Sequence, residues 1–274
     1  FIWTGTINGL ARFDGYEFKR FFSNPNDTSS IRGLVCWALF EDRKRQIWVA
    51  TGPENLNVYN PVTRSFRHYD FKHLIDHPSN VELGISCISE DQSGKIYLGV
   101  HTNFGERISG GLLYFDAKED QVKKIENPDK INIQNIISST VDSKNNLWLV
   151  SYSGIFKIDP TGKIDSVPEL KNIFRKMNDF PNALLADKAS QIWVISNKGT
   201  LADYDPQSKE VKVYLFPQKI ARSFNFSTIA IDTAQNLWIG TDQGMAFFDR
   251  ENKAFSIFNQ VNRKNSALSV INQL

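Results

Sequence analysis

One aromatic-rich phrase recurs six times along the chain, and this repeat constrains the fold more than any other feature. Each copy is a short run of apolar residues around an aromatic anchor, as in Gln-Ile-Trp-Val-Ala-Thr at residues 46–51. The anchors are Trp3, Trp48, Tyr97, Trp148, Trp193 and Trp238, and they are spaced by 45, 49, 51, 45 and 45 residues. A period in the mid-forties that is built of short apolar strands is typical of the blades of a β-propeller.

An aspartate stands six residues before each anchor from the second copy onward. Polar residues that favour turns fill the gap, as in Asp-Thr-Ala-Gln-Asn at residues 232–236. Because an Asp side chain accepts a hydrogen bond from the backbone two residues on, it can start a tight hairpin. We therefore interpret this column as structural and not catalytic, and its members are Asp42, Asp91, Asp142, Asp187 and Asp232.

Each repeat predicts four antiparallel strands, so the fold class is predicted to be all-β, a propeller of four-stranded antiparallel blades. Small residues stand at positions 38, 87, 138, 183 and 228, which indicates that the first strand of each blade is the innermost one. In the last complete repeat the strands are predicted at 227–232, 237–241, 245–249 and 254–258. The turns between second and third strands and the crossovers between blades share one side, which we call the crossover face.

The strand count amounts to six blades. The chain begins at the second strand of its first blade, and residues 265–274 predict one more first strand. This last segment could pair with the first copy and close a six-bladed ring, or it could begin a further blade of a seven-bladed disc. We expect residues 1–274 to form a single propeller domain that is a fragment of a longer chain.

Composition and spacing argue against several classes of function. The net charge of +2 implies no surface for nucleic acid, and no apolar run of 18 residues is present that could span a membrane. The pair His73 and His77 lacks a third ligand, so neither a metal nor a cofactor is expected. Cys36 and Cys87 fall on inner strands of successive blades, where free thiols are favoured over a disulfide.

The first and last copies resemble a known family. Their sequences are FIWTGTINGLARFDGYEFKRF from residue 1 and LWIGTDQGMAFFD from residue 237. They are similar to the two-component regulator propeller repeats of bacterial hybrid two-component sensors, which are common in gut Bacteroidetes. The resemblance covers the whole chain and is weaker in the middle copies, where Tyr97 replaces Trp, Val100 replaces Thr, and Ser151 and Ser196 replace Thr.

The resemblance implies a sensor function. In that family two seven-bladed propellers are followed by a β-sandwich, a membrane helix and a histidine kinase, and the ligands are typically glycan fragments. This chain would then be most of the first disc of a periplasmic sensor region in an inner-membrane protein. The implied partners are an oligosaccharide, the second propeller and β-sandwich of the parent chain, and a second subunit in a homodimer.

Departures from the repeat are the best candidates for ligand contact. The third copy carries an insertion from residue 101 to residue 110, predicted as a loop between its second and third strands. An aromatic ring beside amide and guanidinium groups suits a sugar, because the ring stacks on C–H faces and the polar groups bond hydroxyls or a carboxylate. The candidate ligand-binding residues are His101, Asn103, Phe104 and Arg107 of this insertion, with Arg32 and Tyr152 near the same face.

Two other classes of function stay open from the residues alone. A propeller lyase or hydrolase needs a convergent acid–base set, and none of the four histidines occupies a repeated position. A GxSxG nucleophile motif is also absent from the sequence, so we expect no enzyme in this fragment. A non-catalytic scaffold for protein–protein interaction is the main alternative to a sensor, because propellers present flat faces to partners.

Overall fold

The computed structural model describes residues 1–78, 80–102, 108, 111–127, 131–217 and 224–259. Over these residues the fold is all-β, and the strands form six antiparallel meander sheets, the blades of a six-bladed β-propeller fold. This confirms the predicted fold class. The predicted strand at residues 265–274 lies outside the described residues.

The chain divides into two compact units, which are described separately. Unit 1 comprises residues 1–137 and 151–153, and unit 2 comprises residues 138–150 and 154–274. The first sheet has the three strands β1 (Ile2–Thr6), β2 (Gly9–Phe13) and β3 (Phe18–Phe21). The second sheet has β4 (Cys36–Glu41), β5 (Ile47–Thr51), β6 (Asn55–Asn60) and β7 (Ser65–Tyr69). A short 3-10 helix (Lys72–Leu74) leads to the third sheet, with β8 (Leu83–Glu90), β9 (Ile96–Thr102), β10 (Leu112–Asp116) and β11 (Gln121–Lys124).

The remaining three sheets follow in chain order. The fourth contains β12 (Ile136–Val141), β13 (Leu147–Ser151), β14 (Gly154–Ile158) and β15 (Ile164–Ser166), and the helix α1 (Pro168–Lys176) follows it. The fifth contains β16 (Pro181–Ala186), β17 (Ile192–Ser196), β18 (Thr200–Tyr204) and β19 (Val211–Leu215). The sixth contains β20 (Phe226–Ile231), β21 (Leu237–Thr241), β22 (Gly244–Asp249) and β23 (Ala254–Asn259).

The aspartate column closes the turn between the first and second strands of each sheet from the second sheet onward. In the fourth sheet, Oδ1 of Asp142 accepts from the backbone N–H of Lys144 and Asn146, both at 2.9 Å. Its Oδ2 accepts from the indole N–H of Trp148 at 2.9 Å. The same carboxylate-to-anchor bond joins Asp42 to Trp48, Asp91 to the Tyr97 hydroxyl, Asp187 to Trp193 and Asp232 to Trp238. One side chain therefore forms the turn and also fixes the ring of the anchor.

Within each unit, anchor rings also contact rings of a neighbouring sheet. In unit 1, the Trp48 ring lies 5.0 Å from the Phe115 ring of the third sheet. In unit 2, the Trp148 ring lies 6.0 Å from that of Tyr204, on the next sheet. The turn that leads into the last strand of each sheet starts at an Asp or Asn that ends or directly follows the strand before it, and whose side chain accepts backbone N–H bonds: Asp14, Asn60, Asp116, Asp159, Asp205 and Asp249.

The hydrophobic core lies between the sheets. In unit 1, Trp48, Val58, Leu98 and Leu113 belong to one buried cluster shared by the second and third sheets. In unit 2, the fifth and sixth sheets share another cluster. Cys36 and Cys87 form no disulfide with one another. Burial raises the pKa of Cys36, whose thiol donates to the Gly9 carbonyl at 3.2 Å.

Candidate functional site

The candidate site lies on the crossover face of unit 1. Because neighbouring strands run antiparallel, the beginning of a first strand and the end of a second strand meet at the same end of a sheet. Polar and aromatic side chains gather there, and the ones that matter are Arg32, Trp37, His101, Asn135 and Tyr152. Three of these are residues that the sequence predicts as ligand contacts.

Arg32 is held through its backbone while its side chain stays exposed. Its N–H donates to Oδ1 of Asn57 at 2.8 Å, and its carbonyl accepts from Nδ2 of Asn57 at 3.2 Å and from the Thr51 hydroxyl. Asn57 is fully buried on β6, so the segment before β4 is fixed to the second sheet. Within the described ranges no carboxylate forms an ion pair with the guanidinium of Arg32, which leaves it available to an acidic or hydroxylated ligand.

Tyr152 occupies the turn between β13 and β14 and is 54% exposed. Its N–H donates to the carbonyls of Gln134 at 2.9 Å and Asn135 at 3.3 Å. The buried Asn135 donates in turn from Nδ2 to the Thr102 hydroxyl at 3.4 Å. Since Thr102 follows His101 directly, a short chain of contacts connects the two candidate residues Tyr152 and His101.

His101 is not in a loop, as the insertion predicts, but on a strand. β9 continues through residue 102, and His101 pairs with Gly84 of β8. The pairing of β8 with β9 continues to this point because residues 83 and 84 begin β8 and pair with residues 102 and 101. Nδ1 of His101 lies 3.2 Å from the Gly84 carbonyl, which can only accept, so Nδ1 carries the proton. Burial lowers the pKa of His101, and the imidazole is therefore neutral at pH 7.

A neutral His101 gives a testable pH dependence. Between its lowered pKa and the ordinary value of 6.5, the unfolded chain binds a proton that the folded chain does not. We therefore expect the free energy of unfolding to fall as the pH drops through this window, and to fall less in the variant H101Q. Urea denaturation between about pH 7 and about pH 5 measures this. A slope in H101Q equal to the wild type would contradict it, and the exposed His73 supplies the control variant H73Q.

Of the two residues of this site that the sequence does not predict, Asn135 and Trp37, the aromatic one is Trp37. It sits at a β-bulge of β4, because Cys36 pairs with Thr51 and Ala38 pairs with Ala50, which leaves residue 37 unpaired. Its ring contacts that of His101 edge to face, with the centroids 5.5 Å apart. A usable signal exists in the sequence: Trp37 is a tryptophan outside the anchor column, directly before the column of small residues.

The three other predicted ligand contacts, Asn103, Phe104 and Arg107, lie outside the described residues. Among the residues that the structure describes, no hydrogen bond or ion pair joins Arg32, His101 and Tyr152 directly. The described part of the chain also contains no group of three potential metal ligands and no helix long and apolar enough to cross a membrane.

The fold and this face define the class of protein. It is a six-bladed β-propeller that carries aromatic and polar side chains at strand ends on its crossover face. No protein-family model and no curated protein matches the sequence. Solved structures do share the fold. One is described as the extracellular domain of the hybrid two-component system BT4673 of B. thetaiotaomicron, with a TM-score of 0.70 and 21% identity over 95% of this chain.

Two further structures extend the comparison. The extracellular domain described for the hybrid two-component system BT3049 of B. thetaiotaomicron has a TM-score of 0.70 and 17% identity over 94% of this chain. PorZ, a surface component of the type-IX secretion system of Porphyromonas gingivalis, has a TM-score of 0.62 and 11% identity over 93% of this chain. This chain spans 35%, 33% and 38% of the three structures, respectively, so each of them is more than twice as long.

Proposed function

We propose that this chain is the extracytoplasmic ligand-sensing propeller of a hybrid two-component sensor and that it binds glycan fragments. The observation that carries the proposal is the crossover face of unit 1. There Arg32, His101 and Tyr152 depart from the repeat, and their backbones are fixed to strand ends by hydrogen bonds. A backbone fixed in this way needs no ordering when a ligand binds, which favours a ligand site.

The chemistry of these groups matches a carbohydrate. The exposed ring of Tyr152 can stack on the C–H face of a sugar, and the guanidinium of Arg32 can bond hydroxyls or a carboxylate. The neutral imidazole of His101 leaves Nε2 as an acceptor for a hydroxyl proton. None of these residues forms a nucleophile–base pair on the described part of the chain, which supports binding without catalysis.

The setting of the proposal is a longer membrane-anchored protein. The structural neighbours described as extracellular domains of hybrid two-component systems support a periplasmic domain of an inner-membrane protein. Their greater length is compatible with a second propeller and a β-sandwich in the parent chain. In this proposal the histidine kinase of the parent provides the output, and the propeller itself is not an enzyme.

Signal transfer through a homodimer is the second element of the proposal. A rigid propeller responds to a ligand through differential affinity for two arrangements of subunits. An exposed apolar patch supports contact with a second copy: Ile7, Leu34 and Val35 are 74%, 56% and 38% exposed. The Gly9 N–H donates to the Leu34 carbonyl at 2.6 Å, which brings the turn of Ile7 next to Leu34. The same patch is the observation that favours a protein-interaction scaffold.

A thermal-shift screen tests the proposed function. We expect the Tm of the purified chain to rise with the concentration of one class of oligosaccharide, because a ligand at a hundred times its Kd adds about 2.7 kcal/mol of stability. The rise should shrink in Y152A and persist in Y16A, since Tyr16 is equally aromatic and 96% exposed but lies on the turn between β2 and β3, at the opposite end of its sheet.

The outcomes separate the two candidate functions. Sedimentation at the same sugar concentrations measures whether a dimer forms or dissociates. No rise in Tm with any neutral or acidic sugar, together with a stable dimer that I7S and L34S abolish, would reject the sensor and establish the scaffold. An equal loss of the shift in Y152A and Y16A would place the binding site elsewhere.

A further inference from the structure

The bulge residue of β4 differs in kind from its counterparts in other sheets. The first strands of the third, fifth and sixth sheets carry a bulge at the same position, occupied by Ser86, Asn182 and Ser227. Each of these polar side chains hydrogen-bonds to backbone carbonyls, as Asn182 does to Phe226 at 2.8 Å and Ser227 to Gly240 at 3.4 Å. Trp37 replaces this hydrogen-bonding group with a large aromatic surface.

Two glycines make room for that surface. A methyl group on Gly84 would lie 1.5 Å from Cζ3 of Trp37, and one on Gly52 would lie 2.4 Å from Cζ2. The indole therefore lies directly against the backbone of both the second and third sheets. Unlike the anchor Trp48, which is 2% exposed, Trp37 and the adjoining His101 both remain partly exposed.

We propose that Trp37 and His101 form the floor of a subsite for one neutral sugar ring on the crossover face. This inference rests on the proposed glycan-sensing function and names the ring-binding residues and the charge class of the ligand. The indole supplies the surface on which the C–H face of a sugar ring stacks, and Nε2 of His101 accepts a hydroxyl proton because Nδ1 donates to Gly84.

The charges around this pair favour a neutral ring over an acidic one. The nearest turn carries Glu54, whose N–H donates to the Leu83 carbonyl and whose carboxylate forms an ion pair with Lys72 at 2.8 Å. These two charges offset each other, so this turn offers a sugar carboxylate no unpaired cation, and the Arg32 guanidinium elsewhere on the same face stays available to another group of the ligand. The imidazole of His101 is neutral and therefore also provides no positive charge for a carboxylate.

Titration with neutral oligosaccharides tests the subsite. The probes are manno-, xylo-, malto- and galacto-oligosaccharides, with oligogalacturonate as the acidic comparison. We expect W37A to weaken binding of the responding neutral sugar at least about tenfold, as removal of a central aromatic contact does. H101F, which keeps a ring but loses the acceptor, should weaken it about fivefold, and H101Q, which keeps an acceptor, should weaken it less.

Intrinsic fluorescence separates direct contact from a structural effect. W37F keeps an aromatic ring and removes only one of the six tryptophans. The sugar-dependent change in tryptophan emission should be present in the wild type and absent in W37F, while W37F still shows the sugar-dependent rise in Tm. A merely structural Trp37 would leave that emission change unaltered.

Failure of this inference differs from failure of the proposed function. If neutral sugars raise the Tm but W37A binds within twofold of the wild type, or W37F keeps the emission change, the subsite is refuted and the sensor stands. If only oligogalacturonate binds, the prediction that the subsite takes a neutral sugar ring is wrong. If no sugar binds the chain, the proposed function fails and the subsite fails with it.

Discussion

Replacing Asp142 with alanine is expected to lower the free energy of unfolding by about 3–4 kcal/mol, since each buried donor left without a partner costs about 1–3 kcal/mol. The Asp142 carboxylate is only 4% exposed and accepts four hydrogen bonds. Two come from backbone N–H groups of the turn, one from the Asn146 amide and one from the Trp148 indole. Because Trp148 is 1% exposed, water cannot replace the lost acceptor.

Urea denaturation of D142A, D142N and D205A measures this effect. D142N should cost about 2 kcal/mol, because its amide keeps one acceptor but turns a donor toward the Trp148 N–H. Asp205 forms a turn of the same kind and is the matched control, since its partners are exposed backbone and side-chain groups and D205A should cost under about 1 kcal/mol. Equal losses in D142A and D205A would show that the bond to the anchor contributes nothing.

Replacing Gly84 with alanine is expected to destabilise the protein by about 2–3 kcal/mol, the cost of overpacking a filled site. The added methyl group would overlap the Trp37 ring, which must leave its place between Gly52 and the third sheet. Gly84 does not have a left-handed backbone, so the substitution adds a steric conflict without backbone strain. The same change should weaken any ligand that contacts Trp37.

A double-mutant cycle isolates this effect. In the W37A background the obstacle is gone, so G84A should cost under about 0.5 kcal/mol and the coupling energy between the two positions should be about 2 kcal/mol. Denaturation of wild type, W37A, G84A and the double variant provides the four free energies. Additive effects would mean that the ring of Trp37 does not lie against Gly84.

The sequence predicts the blades well because their determinants are local. In the sixth sheet the second strand is found at its predicted residues, Leu237–Thr241, and the other three differ by one residue at their ends. Anchor, aspartate and turn residues lie within six positions of one another, so their spacing is visible in the chain itself. The same locality explains why Tyr97 can replace Trp: its hydroxyl reaches Asp91 at 3.1 Å.

Much of what the sequence does not predict depends on contacts between residues that are distant in the chain. The helix α1 follows the fourth sheet where a plain crossover is expected, although Pro168 at its start and Arg175 and Lys176 in its last turn are signals for a helix. The continuation of β9 through His101 depends on pairing with β8, and the position of Trp37 depends on glycines 15 and 47 residues away. No short-range pattern encodes such distant neighbours.

The bulges on the first strands affect how the sequence of such a chain can vary in evolution. Side chains alternate along a strand with a period of two, and one extra residue resets that alternation. The residues before the bulge of β4 therefore do not dictate which side chains after it face the core. Substitutions at the bulge, such as tryptophan in place of serine, can accumulate where the facing positions leave room, as Gly52 and Gly84 do for Trp37. The rim of a propeller can thus vary in sequence while the alternation that builds its blades stays intact.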